Sequence, residues 1–144
     1  MNAQAILAPM VALMCWTMVM WLWMYATRIP ALQRAEGVDM NSRVGGVGAD
    51  LDKVIPEKTQ WIAHNYNHLH ESPTVFYAVC ITLAVLDAGD GMVATVAWVY
   101  VGLRVLHSVI QAIWNRVVFR FTIYALSSFA LFALIINAAL IVLI

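Results

Sequence analysis

The sequence has few charged residues and only two cysteines. Charged side chains make up 11% of the 144 residues, whereas an ordinary soluble domain carries about 25%. Apolar residues reach 63%, and a soluble chain this short could not bury that much apolar surface. The formal net charge is zero, which gives no indication of nucleic acid or another polyanion as a partner. A lipid bilayer is therefore the expected environment.

Both cysteines, Cys15 and Cys80, lie within apolar runs. This position favours small core or lipid-facing side chains over a disulfide or a metal pair. The N-terminus does not resemble a cleavable signal, because no Lys or Arg precedes the first apolar run and that run is too long for a signal core. We expect it to remain as a membrane anchor.

The apolar segments predict an all-α membrane protein with four spans. A span needs about 20 mostly apolar residues, and we place the four at about 5–27, 61–86, 92–113 and 121–144. Pro30 is expected to end the first helix. Residues 28–60 form a polar loop, whose glycine cluster VGGVGAD lacks the preceding strand and the GK[ST] of a phosphate loop. A tight turn, DAGDG, separates the second span from the third.

The second predicted span is unusual because its fully apolar part, 75–86, is too short to cross a bilayer. The helix must therefore extend back through the polar segment WIAHNYNHLHESP. Pro73 removes one helical hydrogen bond and is expected to kink this helix. In the alternative, Ser72 caps a new helix that has Pro73 at its first position.

The basic residues predict the orientation of the chain in the membrane. Seven of the eight lie in or beside two connections on one side of the predicted bundle, and the DAGDG turn and both ends have none. The positive-inside rule places these connections in the cytoplasm and both termini on the other side. The seven are Arg28, Arg34, Arg43, Lys53, Lys58, Arg116 and Arg120.

The eighth basic residue, Arg104, lies near the middle of the third predicted span. A charge at the bilayer centre costs at least ~2.5 kcal/mol on insertion scales, so Arg104 should face protein or water. At about 100° per residue, Gln111 and Asn115 fall within about 40° of Arg104 on a helix. His107 and Ser108 flank them. One face of the third helix is therefore predicted to be polar.

A second polar face is expected on the preceding span, where five residues follow i, i+3, i+4 spacing. They are His64, Asn67, His70, Glu71 and Thr74. Glu71 is the only acid inside a predicted span, so an ion pair with Arg104 is the expected way to keep both charges in the membrane. The two faces could simply join helices by hydrogen bonds. They could also line a polar ligand cavity open to the cytoplasm, which we favour because intramembrane ionisable residues are functional by default.

His64, His68 and His70 also allow a metal hypothesis. His64 and His68 are spaced i, i+4, like two ligands on one helix face. With Glu71 and His107 they could build a redox-metal or haem site, but no known cluster spacing is matched. We therefore prefer hydrogen-bonded polar side chains. No catalytic-triad pattern accompanies them.

Two motifs together with the four spans resemble a known family. The third helix and its exit contain RVLHSVIQAIWNRVVFRF, and the second span contains H-x-x-E-S-P-T-x-F. These features are similar to the MAPEG family, the membrane-associated proteins in eicosanoid and glutathione metabolism, over most of the chain, with 31–60 the poorest part. The resemblance implies one domain over 1–144, a four-helix protomer and a homotrimer that binds glutathione between neighbouring protomers on the cytoplasmic side.

The resemblance also implies roles for particular residues. Arg120 matches the arginine that stabilises the glutathione thiolate in enzymatic members, which makes it the implied catalytic residue. Two departures are that Gln111 stands where eicosanoid-producing members have tyrosine and that His68 stands where the family usually shows asparagine. Pro73 also lies closer to Glu71 than is usual. The implied glutathione-binding residues are Arg28, Asn67, His68, Glu71, Arg104, His107 and Gln111.

The predicted function is the one that the resemblance implies, and the chemistry of the residues is compatible with it. Glutathione carries two carboxylates and one amine, which Arg104, Arg28 and Glu71 could complement, and a lipophilic second substrate could reach the site from the lipid. If the chain is an enzyme, the expected activity is that of a glutathione transferase or peroxidase. The alternatives are a non-catalytic membrane protein whose polar faces hold a trimer or a partner and, more weakly, a redox-metal subunit.

Overall fold

The computed structural model describes residues 3–35, 39, 42 and 44–144, and all regular structure in those residues is helical. Arg43, one of the basic residues used for the orientation, lies outside them. The long helices are α1 (Leu7–Arg34), α2 (Glu57–His68), α3 (Ser72–Val85), α4 (Gly91–Ile113) and α5 (Val117–Leu143). Two short 3-10 helices, Ala3–Ile6 and Gly48–Lys53, precede α1 and α2.

Within the described part of the chain, three helices are long and apolar enough to cross a membrane, namely α1, α4 and α5. Large apolar side chains such as Phe129 and Phe132 are exposed on α5, as expected for a surface that faces lipid. α5 begins at Val117 rather than near residue 121. Arg120 therefore lies in its first turn, and the connection between α4 and α5 shortens to 114–116.

α1 does not end at Pro30 as predicted. It continues through Pro30 to Arg34, one turn further. Proline removes a single hydrogen bond from the helix interior. The other hydrogen bonds of this 28-residue helix are enough for it to continue past Pro30. The polar connection accordingly begins after Arg34.

The second predicted span consists of two helices, so the expected continuous, kinked helix is wrong. α2 ends at His68, and α3 begins at Ser72. Pro73 lies in the first turn of α3, where a backbone N–H would have no acceptor within the helix, so its absence costs no hydrogen bond. The alternative of a new helix beginning near Pro73 is right, except that Glu71 occupies the cap position instead of Ser72. Residues before and after this break do not share one helical face.

α4 is the central element, because it packs against α1, α2 and α5. Asn65 Nδ2 on α2 donates a hydrogen bond of 2.5 Å to Ser108 Oγ on α4. The Phe76 ring on α3 stacks on Tyr100 of α4, with 4.3 Å between the ring centroids. These contacts anchor both halves of the broken segment to α4. The break between them therefore lies beside the middle of α4, the level of Arg104.

Candidate functional site

The end of α2, the middle of α4 and the start of α5 converge on four side chains that we call the polar cluster: His68, Arg104, His107 and Tyr124. The His68 ring centroid lies 5.1 Å from that of His107 and 5.4 Å from that of Tyr124. Arg104 Cζ lies 5.6 Å from the centroid of the Tyr124 ring. Three helices thus bring two imidazoles, a phenol and a guanidinium together.

Arg104 is buried, with 1% of its surface exposed. Its Nη2 donates a hydrogen bond of 3.3 Å to the backbone carbonyl of His68, at the break between α2 and α3. Its Nε and Nη1 have no hydrogen-bond partner among the described residues. Since buried donors are normally satisfied, these two groups mark Arg104 as a candidate for holding an acceptor.

The predicted ion pair between Arg104 and Glu71 is wrong. The Glu71 carboxylate instead accepts a hydrogen bond from His68 Nδ1. Glu71 lies in the break and not on the face of α2 that meets α4, and its side chain is 63% exposed. Arg104 therefore has a backbone carbonyl and an aromatic ring as neighbours in place of a carboxylate.

A cavity of about 190 Å³ opens beside the polar cluster and brings three predicted site residues together. His68, His107 and Arg120 line it, with Val117, Phe121 and Tyr124. Arg120 Nη1 donates a hydrogen bond of 2.6 Å to Asn115 Oδ1. Asn115 adopts a left-handed conformation with φ 50°, which asparagine tolerates better than most residues. The turn after α4 thereby holds the Arg120 guanidinium at the cavity.

The other predicted binding residues do not line this cavity. Gln111 is buried on α4, and its Oε1 has no partner in the described part of the chain. Asn67 is exposed on α2. Arg28 Nη2 donates a hydrogen bond of 2.7 Å to the carbonyl of Gly48 and so ties α1 to the polar loop. Arg28, Asn67 and Gln111 are not gathered with the polar cluster within one protomer.

The histidines of the metal hypothesis have separate partners. His64 Nε2 lies 3.1 Å from Asp52 Oδ2, whereas His70 Nδ1 donates to the Tyr66 carbonyl at 2.9 Å. His68 is bonded to the Glu71 carboxylate. In the residues that the structure describes, no group of three or more His, Cys, Asp or Glu side chains could hold a metal ion.

Tyr124 is the member of the polar cluster that the sequence analysis missed. It lies in an apolar span without charged neighbours, so composition gives no reason to single it out. The available signal is its spacing from Arg120, because residues four apart share a helix face. Both residues line the same cavity.

The comparisons with known proteins agree with this architecture at the level of the family. No curated protein and no solved structure matches the chain. The model of the MAPEG family matches residues 6–140, a range that contains α1 to α4, most of α5 and every residue of the polar cluster. The match covers nearly the whole chain, and the chain therefore belongs to the MAPEG family.

Proposed function

We propose that this chain binds glutathione between the protomers of a membrane-embedded trimer and acts as a glutathione transferase or peroxidase on lipophilic substrates. Its family makes it a membrane protein of the kind found in glutathione and eicosanoid metabolism. The observation that carries the proposal is the convergence of His68, His107 and Arg120 on one cavity beside the buried Arg104.

The charge of Arg104 suits one of the glutathione carboxylates. A guanidinium stays ionised and holds a carboxylate by charge-assisted hydrogen bonds. The Nε and Nη1 groups of Arg104 are buried donors that have no partner among the described residues. They point to different sides of the guanidinium, so a carboxylate would supply an acceptor for one of them.

Arg120 suits the thiol. A cation close to a thiol favours the thiolate and lowers the pKa of that thiol. Arg120 lines the cavity and uses Nη1 to bind Asn115, which fixes its guanidinium without neutralising it. The thiolate sulfur would then form a bond to an electrophilic carbon of a substrate that arrives through the lipid, and the leaving group of that carbon would depart with the electron pair of its bond.

The polar residues that one protomer leaves exposed support assembly into an oligomer, and the number of three is what the family implies. The cavity of about 190 Å³ is smaller than the roughly 300–1,000 Å³ of typical ligand pockets, so a tripeptide needs further walls. Asn67 and Glu71 are exposed, and polar groups in a membrane require protein or water as a neighbour. A second protomer would cover them, with α2 and α3 together forming the fourth span.

A non-catalytic function is the alternative, and two hydrogen bonds favour it. Asn65 bonds to Ser108, and Ser72 Oγ lies 3.3 Å from the Tyr100 hydroxyl. These polar residues join helices, which is the structural use of polar groups in membranes. The same use could extend to the polar cluster.

Calorimetric titration of the purified protein with glutathione distinguishes the two functions, with metal content measured on the same sample. We expect saturable binding in the wild type and its loss in Arg104→Met. Arg116→Ala is the matched control, since Arg116 lies over the Trp114 ring at 5.7 Å and does not line the cavity. Absence of binding in the wild type would favour the non-catalytic function.

A further inference from the structure

We infer that His68 accepts the proton of the glutathione thiol and that the Glu71 carboxylate positions it for this task. The inference rests on the proposed function, because it names the proton acceptor of that site. Its basis is the hydrogen bond between His68 Nδ1 and Glu71, at a residue whose ring lines the cavity.

The bond to Glu71 determines which nitrogen of His68 is basic. A carboxylate accepts hydrogen bonds, so Nδ1 must carry the hydrogen of a neutral imidazole. Nε2 then has a free lone pair, and no hydrogen-bond partner occupies it in the described residues. A histidine oriented through one nitrogen by a carboxylate, with the other nitrogen free, is the arrangement of a general base.

The surroundings hold the imidazole in place. His68 is the last residue of α2, and its carbonyl accepts the hydrogen bond from the buried Arg104. The ring lies beside those of His107 and Tyr124, and 23% of the side chain remains exposed. The ring is therefore fixed on its packed side and accessible to a ligand.

His70, two residues after His68, serves for comparison because its contacts are those of a structural histidine. Its Nδ1 donates to the backbone carbonyl of Tyr66, and its side chain is exposed and does not line the cavity. His68 differs in both respects, since its partner is a carboxylate and its ring borders the cavity.

The charges that face His68 are arranged for proton transfer. His68 faces Glu71 beside it, Arg104 and His107 on α4, and Arg120 and Tyr124 on α5. Transfer breaks the S–H bond, leaves its electron pair on sulfur and bonds the proton to Nε2. The thiolate then faces Arg120, and the imidazolium faces Glu71. Each new charge has an opposite charge beside it.

The experiment compares protons released with thiolate formed. Calorimetry of glutathione binding in buffers of different ionisation enthalpy gives the protons released, and ultraviolet absorbance gives the thiolate. In the wild type we expect less than one proton released per thiolate, because His68 keeps it. His68→Asn should release a full proton per thiolate and lose about 10²-fold or more in conjugation rate, as for removal of a general base.

Two further variants complete the test. His70→Gln, the control, should behave as the wild type in both measurements. Glu71→Gln keeps an oxygen acceptor but removes the charge that supports the imidazolium, so its proton release should rise toward one per thiolate. This variant answers the question even where His68→Asn does not fold.

The two proposals fail differently. A full proton per thiolate in the wild type, with glutathione bound, would overturn the role of His68 and leave glutathione binding intact. Retention of the proton in a folded His68→Asn would assign it to another group, with the same consequence. No binding of glutathione by the wild type would overturn the proposed function together with the roles of His68 and Glu71.

Discussion

The Arg104 side chain contacts the His68 carbonyl and the Tyr124 ring. These neighbours determine how replacing Arg104 should affect stability. The ion pair expected from the sequence would have made the guanidinium a requirement for folding, since breaking a buried pair leaves an unpaired charge. Glu71 is mostly exposed and bonded to His68, so no carboxylate is stranded when Arg104 is replaced. The bulk of Arg104 then matters more for stability than its charge.

Two substitutions of Arg104 should therefore diverge. Arg104→Ala should lower the free energy of unfolding by roughly 2–5 kcal/mol, the usual cost of emptying a large buried site. Arg104→Met fills much of the space but removes the hydrogen bond to the His68 carbonyl, so it should lose some thermal stability, though less than Arg104→Ala. Both should lose glutathione affinity. Equal loss of stability in the two variants would mean that the guanidinium itself holds the fold.

Arg120 should act on the thiol without being needed for assembly. Arg120→Ala removes a cation from the cavity wall and one hydrogen bond to Asn115. The oligomer should stay intact, and the pKa of the bound glutathione thiol should rise because the thiolate loses its neighbouring cation. Thiolate absorbance titrated against pH measures this, with Arg116→Ala as control. An unchanged thiol pKa with glutathione still bound would remove Arg120 from the catalytic role.

The sequence predicts residues of this site better than it predicts their partners. Arg104 and His107 could be selected because a charge or an imidazole is rare in an apolar helix, and Arg120 could be selected through the resemblance to the family motif. The partner of Glu71 could not be predicted, because it depends on where α2 ends and α3 begins. Tyr124 could not be selected, because a tyrosine in an apolar span is common and the sequence does not show which residues face it.

The break between α2 and α3 lies at the level of the middle of α4, a helix long and apolar enough to cross a membrane. At a rise of about 1.5 Å per residue, Arg104 is roughly 20 Å along α4 from Gly91, within a hydrocarbon core about 30 Å thick. Non-helical backbone is tolerated at such depth only when it is buried or hydrated. Arg104 donates to the His68 carbonyl at this point. The long side chain thereby supplies a donor to backbone that has left the helix.

Pro30 and Pro73 should respond oppositely to replacement by alanine. Pro30 lies inside α1 and removes one helical hydrogen bond, so Pro30→Ala should raise the denaturation temperature. Pro73 lies in the first turn of α3, where it costs no bond and restricts the unfolded chain. Pro73→Ala should lower stability by about 0.4–1 kcal/mol. A loss of stability in Pro30→Ala would show that the proline shape is required there.

At the level of elements, hydropathy located the long helices but not their ends. The start of α5 and the extension of α1 past Pro30 differ from prediction by about one turn, because a charged residue and a proline both resemble helix boundaries in the sequence. The sequence pattern predicts the α2–α3 break only as the alternative to a kinked helix. Local rules permit Pro73 either in a kink or in a first turn. Tertiary packing decides between them, because α2 packs against α1 and α4 whereas α3 packs mainly against α1 and α5.

Across the whole molecule, the number of crossings determines on which side the turn after α3 lies. If α2 and α3 cross the bilayer together, Val44 and Met92 lie on opposite sides. If only α1, α4 and α5 cross, they lie on the same side. Both side chains are exposed, at 98% and 76%, so cysteines placed there in a variant without Cys15 and Cys80 can be labelled by an impermeant reagent. We expect Val44→Cys to react from the cytoplasmic side and Met92→Cys from the other.

The mass of the purified oligomer tests the proposed trimer. Native mass spectrometry in mild detergent should show three copies of the chain, with glutathione bound to the trimer. A monomer that retains glutathione would contradict both the trimer and the placement of the site between protomers.

The exposed Glu71 side chain has one more consequence. If a neighbouring protomer must cover it, the folded chain and its assembly are linked by mass action, because an obligate oligomer has no stable folded monomer. The denaturation temperature in detergent should then rise with protein concentration, and dilution at constant temperature should unfold the chain. Its stability would depend on how densely the membrane is populated with copies of it.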